Sequence, residues 1–322
     1  MLISVIIPCY NSGKYIEKCL NALDRQTFKD FDIILVDDCS IDNTLEVVNN
    51  YSKKHDLNIT ILSNKVNSGP AVSRLNGIKK SKSEFIAFCD SDDWYDSNYL
   101  DVMSRAITSN DSDMIFCNSQ KVFGNGTIKK INNTCGYEGE ITQIEALTMG
   151  IDSLWSIVVR KAIFESVAQT DLRNGEDMAI IPLMIMESRK FYAVKEYLYN
   201  YLCRPGSLSL NCNDRMISSL ELSFEHILVN AKPGFEKEVE YIGIKNVVYG
   251  ILLNHFKYSS NKTYARNLLK KFEDQYPCWS KNVYIRNMSL FKRLFVWLAK
   301  KRCFAGIKIL CGIHRFLVEK TK

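Results

Sequence analysis

The first 120 residues alternate between short β-branched apolar runs and stretches whose apolar residues recur at helical spacing. Few folds accept that pattern. Strand-like runs fall at residues 2–7, 31–36, 58–62, 84–88 and 113–117. Between them, residues 14–26, 42–54, 71–80 and 99–108 carry helical periodicity, as in Tyr15, Ile16, Cys19, Leu20 and Leu23. Strict alternation with short connections predicts right-handed β-α-β units, hence an α/β fold with a mostly parallel sheet flanked by helices. Ligands of such sheets bind beyond the carboxyl ends of the strands. Those ends read Pro8-Cys9-Tyr10-Asn11, Asp37-Asp38-Cys39-Ser40 and Asp90-Ser91-Asp92-Asp93.

The third tip is the most demanding. An apolar run, Phe85-Ile86-Ala87-Phe88, ends in three carboxylates within four residues. Burying an unpaired carboxylate is very costly, so the cluster must be solvated, paired with cations or holding a metal. In extended backbone Asp90 and Asp92 point the same way and can share one hard, oxygen-preferring ion. Taken alone, the stretch also fits an acidic turn with a helix cap at Asp96 or Ser97. Its place as one of three polar tips on a single sheet edge favours a site.

Downstream, residues 118–140 suggest hairpins and loops over that edge, followed by a helix at 141–149 and a strand at 154–159. Asn174-Gly175-Glu176-Asp177 opens a helix through about residue 186. Two strands, 191–194 and 197–203, close a first domain that ends near Arg204-Pro205-Gly206-Ser207. Beyond residue 211 long helical periodicities take over, broken at Pro233-Gly234, Ser259-Ser260 and Pro277, so the domains expected are 1–210 and a helical 211–322. The 11 cysteines include no C-x-x-C pair and several sit in apolar runs, which argues for a reducing cytosol and against zinc or a disulfide framework. No run of eighteen apolar residues marks a transmembrane helix, and the N-terminus reads as a strand rather than a signal peptide.

The net charge of +6 is uneven: residues 281–322 hold eleven Lys or Arg against one acid, +10, leaving 31 basic and 35 acidic residues, −4, elsewhere. Leu290-Phe291-Lys292-Arg293-Leu294-Phe295-Val296-Trp297 mixes large apolar residues with paired cations. That composition predicts an amphipathic helix in peripheral contact with an anionic membrane. A helical mini-domain with a solvated basic face, or a homodimer interface, is the competing expectation. Nucleic acid is not an expected partner, since no recognition fold accompanies the patch.

In order along the chain, these motifs resemble the family 2 glycosyltransferases of the GT-A fold, which transfer sugars from nucleotide-sugar donors. The family's opening strand appears as Ser4-Val5-Ile6-Ile7-Pro8-Cys9-Tyr10-Asn11, and its second tip as Val36-Asp37-Asp38-Cys39-Ser40. Asn67-Ser68-Gly69-Pro70-Ala71-Val72-Ser73-Arg74-Leu75-Asn76-Gly77 is the third, and the Asp90–Asp92 stretch the fourth. Two departures stand out: Ser73-Arg74-Leu75 where the family often has Ala-Arg-Asn, and Trp155-Ser156-Ile157 for its Trp-Asn-Lys.

The resemblance implies a UDP-sugar donor lying along Pro8, Tyr10, Asn11 and Ser91. Tyr10 can stack on the base, Asp38 can accept from its edge, and Arg74 can fork a phosphate or ribose oxygen. Mn²⁺ or Mg²⁺ would sit on Asp92, with Asp90 nearer the ribose or a metal-bound water. Asp177 is the candidate general base, Glu176 and Trp155 line the acceptor side, and Arg204 and Ser207 belong to a loop over the diphosphate. One base opposite a metal-bound leaving group implies inversion. The expected role is sugar addition to a glycan or lipid-linked acceptor in bacterial surface-polysaccharide synthesis, in the cytoplasm at the inner face of the membrane. A sugar-phosphate nucleotidyltransferase is disfavoured, because no Gly-rich phosphate loop is present. A catalytically silent nucleotide-sugar-binding partner that recruits a membrane assembly remains the alternative.

Overall fold

The computed structural model describes residues 1–204 and 214–319, which pack as two compact units, Met1–Ser207 and Leu208–Lys322. The first opens with β1 (Ile3–Cys9), α1 (Ile16–Asp24), β2 (Phe31–Asp37), α2 (Thr44–Lys54), β3 (Ile59–Ser63), α3 (Pro70–Lys80) and β4 (Phe85–Phe88). These strands pair in parallel in the order β3-β2-β1-β4. Strand β1 is central and apolar on both faces, as a strand covered by helices above and below must be. Pro8 is tolerated there because it faces the side where β4 has already turned away. Cys89 donates to Ile6, the previous residue on that side, and only Cys9 continues the ladder, accepting from Asp38 on the β2 side. Gly77 lets α3 approach the sheet closely, for a Cβ there would lie 2.8 Å from Ile6 and 3.2 Å from Val36. Arg74, one turn earlier on α3, is thereby carried down onto the strand ends.

The chain continues through β5 (Trp94–Tyr95), α4 (Tyr99–Asn110), β6 (Met114–Phe123), β7 (Ile128–Ile131), β8 (Gly139–Ile141), α5 (Gln143–Met149), β9 (Ile157–Arg160), α6 (Lys161–Ser166), α7 (Glu176–Glu187) and β10 (Phe191–Cys203). The full order is β3-β2-β1-β4-β9-β6-β10-β5, with β7 on β6 and β8 on β10. Strand β9 runs antiparallel between β4 and β6, while β6 and β10 again point the same way as β1. The sheet is therefore mostly parallel in direction, with a reversed strand inserted at its middle. Where two strands were expected at 191–194 and 197–203, one strand runs through. It is broken only in register, by shifts at Ala193/Tyr197 and Tyr197/Tyr199 that interrupt the side-chain alternation. The expected strand at 154–159 begins one turn late, because Leu154–Ser156 forms a single 3₁₀ turn first. Helix α4 is not capped by Asp96 or Ser97 side chains; its N-cap is Asn98.

The second unit, taken by itself, is helical: α8 (Asp214–Asn230), α9 (Glu236–Gly243), α10 (Leu252–Tyr258), α11 (Lys262–Gln275), α12 (Leu290–Lys300) and α13 (Phe304–Glu319). Helices α9 and α10 are joined without a break by a π-helical stretch, Ile244–Ile251. Trp279, Phe295 and Ile307 are fully buried. The basic segment is thus part of a packed core and not a helix lying wholly in a surface: α12 buries Phe295, Val296 and Ala299. Two of its cations, Lys300 and Arg302, are paired with Glu273. On the opposite face of α12, however, Leu290 (80% exposed), Leu294 (46%) and Trp297 (56%) are turned outward at helical spacing. Lys320 and Lys322 lie outside the described residues. No described helix is long and apolar enough to cross a membrane.

Candidate functional site

The polar tips converge because β1, β2, β4 and β10 end on one edge, and the contacts there are mostly between residues far apart in sequence. At the end of β1 the chain reverses through Asn11, in left-handed backbone at φ +49°, a conformation Asn tolerates better than most residues. Its N–H donates to Ser40 Oγ (2.9 Å) and its Oδ1 accepts from Ile41 N (2.9 Å). Asn11, expected along the donor, instead stitches the first tip to the second. Tyr10 beside it is 48% exposed and open to a planar ligand.

Asp38 is buried and its acceptor positions are largely used. Oδ1 takes Asn64 Nδ2 (2.8 Å) and Ser68 N (2.8 Å), and Oδ2 takes Gly69 N (2.7 Å). Of about four lone-pair sites on a carboxylate, three hold the loop that leads into α3. Asn64 also donates to Ser73 Oγ and accepts from Asn76 Nδ2. Next to Leu75, Asn76 thus supplies a side-chain amide, but it is turned toward Asn64, whose own amide is turned toward Asp38. Asp37 keeps one buried oxygen, Oδ1, without a partner, while Oδ2 accepts from Ser40 N (3.2 Å).

Arg74 is the hub. Its guanidinium is 6% exposed and pairs with Asp90 (Nη2–Oδ1, 2.7 Å), Glu176 and, at 3.4 Å, Asp177 Oδ1. One cation from α3 thus ties the acidic tip of β4 to the mouth of α7. Burial alone would lower the Arg74 pKa, but Asp177, Asp90 and Glu176 together hold it above its usual value. Both terminal nitrogens of Arg74, expected to fork a phosphate or ribose oxygen, are paired here with carboxylates. Its Nε is buried without a partner. Arg74 and Glu176 also line a cavity of about 10 Å³, the room one water needs. Glu176, expected on the acceptor side, is buried in this cluster instead.

Helix α7 starts after Gly175, whose left-handed φ of +80° a glycine adopts without the steric cost of a Cβ. Asp177 follows in the first turn, where Oδ2 accepts from Leu154 N (3.1 Å). Burial and the adjacent Glu176 charge raise its pKa well above the usual carboxylate range, against the pull of Arg74 and the Leu154 N–H. A carboxylate so placed favours taking up a proton.

Around the acidic tip each carboxylate has a different task. Asp92 Oδ2 accepts from Arg204 Nε at 2.7 Å, and the Arg204 guanidinium lies 4.7 Å from the Tyr15 ring centre. Burial and the neighbouring Asp90 push the Asp92 pKa up, opposed by Arg204. Asp93 is buried and accepts from Tyr199 Oη (2.7 Å) and Leu202 N (2.7 Å). Ser91, expected along the donor, is buried and its hydroxyl meets Ser12 Oγ at 2.6 Å, a tie to the first tip. Ser207 lies outside the described residues. Trp155 stacks on Tyr199 (4.4 Å between ring centres) beside the Leu154–Asp177 bond. Tyr199, Tyr15, Asn64 and Ser12 were missed in the sequence, where nothing separates them from ordinary strand and loop residues.

Among the described residues no group of three or more His, Cys, Asp or Glu is arranged to hold a metal ion. The donor set is nevertheless all-oxygen, and Mg²⁺-type ions are commonly bound by one or two carboxylates completed by substrate phosphates and water. Asp92, with Asp90, fits that arrangement.

Comparison with known proteins agrees with the geometry. Residues 4–167 match the family model "Glycosyl transferase family 2". A poly(ribitol-phosphate) beta-glucosyltransferase of Bacillus spizizenii is 28% identical over 81% of this chain and 41% of its own. The poly(ribitol-phosphate) beta-N-acetylglucosaminyltransferase TarS of Staphylococcus aureus is 26% identical over 87% of this chain and 48% of its own. The chain thus spans less than half the length of these curated relatives. In fold, it aligns with the crystal structure of S. aureus TarS 1-349 in complex with UDP at a TM-score of 0.71 and 23% identity, over 98% of this chain and 91% of that one. With its strand tips, its α/β architecture and the match across residues 4–167, the chain belongs to glycosyl transferase family 2, with a GT-A fold.

Proposed function

We propose that this protein is an inverting glycosyltransferase that moves one sugar from a UDP-sugar to a glycan or lipid-linked sugar in surface-polysaccharide synthesis. The observation that carries the reading is the Arg74 hub, which puts the carboxylates of the donor motif and the candidate base on one guanidinium. The UDP complex of the structural neighbour supports the choice of nucleotide. In the reaction, an acceptor hydroxyl attacks the anomeric carbon as its proton passes to Asp177. The new C–O bond forms while the bond to the β-phosphate oxygen breaks, and UDP leaves with the electron pair. Arg74 keeps Asp90 and Asp177 a fixed distance apart, and Tyr10 offers its exposed ring to the base. Asp92 and Asp90 would hold Mn²⁺ or Mg²⁺, which supplies Lewis-acid stabilisation of the diphosphate.

Because Arg204 neutralises Asp92 in the free protein, a divalent ion must compete with an internal cation. Mn²⁺ is therefore expected to bind weakly alone and tightly with UDP. Asp92→Asn should abolish UDP-dependent Mn²⁺ binding and UDP release from a panel of UDP-sugars. Unchanged binding in that variant would remove the metal assignment.

The same reading places the enzyme at the inner face of the membrane, held peripherally by the second unit. What supports this is the outward apolar row Leu290, Leu294 and Trp297 on a helix that also exposes Arg293, with Lys301 exposed just past its end. Each basic residue near an anionic surface contributes about 1 kcal/mol. Deleting the segment would remove core residues, so point changes are the sound test. Leu294→Glu with Trp297→Glu should cost most of the binding to phosphatidylglycerol vesicles, with the fold intact by circular dichroism. Vesicle binding equal to wild type would defeat the proposal. A shift from dimer to monomer in sedimentation would assign the face to a second copy instead.

A further inference from the structure

The geometry points to an anion-binding platform beside the catalytic edge that selects an acceptor carrying phosphate next to the accepting sugar. This deepens the glycosyltransferase reading and rests on it. The platform begins at the candidate base. Asp177 accepts from Leu154 N, and the next residue, Trp155, stacks on Tyr199 and then on Tyr201, whose ring centre is 6.2 Å away. Lys121 Nζ stands 5.7 Å from the centre of the Tyr201 ring. Tyr201 pairs with Lys121 across β10 and β6, and Lys121 pairs with Lys129 across β6 and β7. Residues directly opposite in a sheet share a face, so Tyr201, Lys121 and Lys129 form one row running outward from Trp155.

That row carries an electrostatic cost in the free protein. Like charges directly opposite on neighbouring strands destabilise the pair. Both lysines are exposed, and among the described residues no carboxylate forms an ion pair with either. Along the same sheet Lys195 is bound to Glu138 and Lys190, at its far end, to Asp111, whereas exposed Lys130 beside Lys129 lies over the Tyr197 ring and adds to the positive charge of the hairpin. An incoming phosphate between Lys121 and Lys129 would remove the repulsion. The part-exposed aromatic surface of Trp155 and Tyr201 suits the apolar side of a sugar or polyol unit on the way to Asp177. Phosphate of this kind occurs in two carriers, a phosphodiester-linked polyol or sugar chain and a prenyl-diphosphate-linked sugar. The hairpin recognises the chemistry they share.

The test is equilibrium binding by the full chain, with UDP and Mn²⁺ present, of three probes: a glycerol-phosphate hexamer, a short-chain prenyl-diphosphate-linked sugar and an uncharged oligosaccharide. At least one phosphate-bearing probe should bind tenfold or more tightly than the uncharged one and weaken steeply with salt. The double variant Lys121→Glu, Lys129→Glu should lose that preference, while Lys53→Glu, an exposed change on α2, should keep it. Which phosphate probe binds identifies the carrier. Equal binding of charged and uncharged probes, or a double variant that binds as wild type, overturns the platform. UDP titration of the same wild-type sample separates the two ideas: UDP binding without phosphate selectivity sinks only this inference, and absence of UDP binding sinks the donor reading beneath it.

Discussion

Asp177→Asn is expected to lower sugar transfer by about 10²–10⁴-fold, the usual contribution of a positioned general base, while UDP-sugar affinity stays within a few-fold of wild type. The same substitution is expected to raise thermal stability at neutral pH, and that pairing is the diagnostic result. Burial and the Glu176 charge raise the folded-state pKa of Asp177 above its unfolded value. Between those two values the native state holds more protons than the unfolded chain, so stability falls as pH rises through that window. Above the window the full cost of an ionised Asp177 is present. Asn carries no such cost, so the gain of the variant over wild type should grow as pH rises above the usual carboxylate range and should vanish below it. Melting temperature against pH, measured beside single-turnover transfer, checks both halves. Full transfer activity in the variant would remove Asp177 as the base.

Arg74→Met should be the most destabilising single change in the first unit. It would leave Asp90, Glu176 and Asp177 facing one another with no counter-charge, and breaking a buried ion pair from one side costs about 3–5 kcal/mol. Arg74→Lys should recover part of that loss only. An ammonium is a point charge and cannot span Asp90 on one nitrogen and Glu176 and Asp177 on the other as the guanidinium does. Urea unfolding at pH 7.5 measures the difference, and a midpoint for Arg74→Met equal to wild type would contradict the hub. Lowering the pH should narrow the gap, because protonating the three orphaned carboxylates removes their repulsion.

The strand tips were legible because each is a local event: an apolar run stops and polar residues begin. Pro8, Tyr10, the Asp37-Asp38 pair, the Asp90-Ser91-Asp92-Asp93 run and the Glu176-Asp177 pair could all be located without knowing the fold. What each side chain does there was far less legible. Arg74 meets Glu176 across 102 positions, Asp92 meets Arg204 across 112 and Asp93 meets Leu202 across 109. No periodicity encodes such pairings. Ser91 and Glu176, which the resemblance puts at the donor and acceptor sides, each have a partner far away in sequence, Ser12 and Arg74. Fold details failed for a similar reason. The insertion of β9 between β4 and β6 is decided by which apolar surfaces fit together, and a bulged strand such as β10 reads as two short ones once its alternation lapses. In the second unit the breaks at Pro233-Gly234 and Pro277 marked helix ends correctly. Composition alone did not reveal that half of α12 is core.

The placement of β10 also orders events during synthesis. Strands β1 to β4 are joined by local crossovers and can pair as soon as about ninety residues are available, since contacts close in sequence form first. The acidic tip at the end of β4 is then complete in sequence but unsupported. Tyr199, Leu202 and Arg204, which hold Asp93 and Asp92, are made more than a hundred residues later. Until they leave the ribosome, those carboxylates lack the partners that hold them in the complete chain. The tip is organised only once the last strand of the sheet is in place, so a chain cut short before residue 199 lacks every group that holds Asp92 and Asp93.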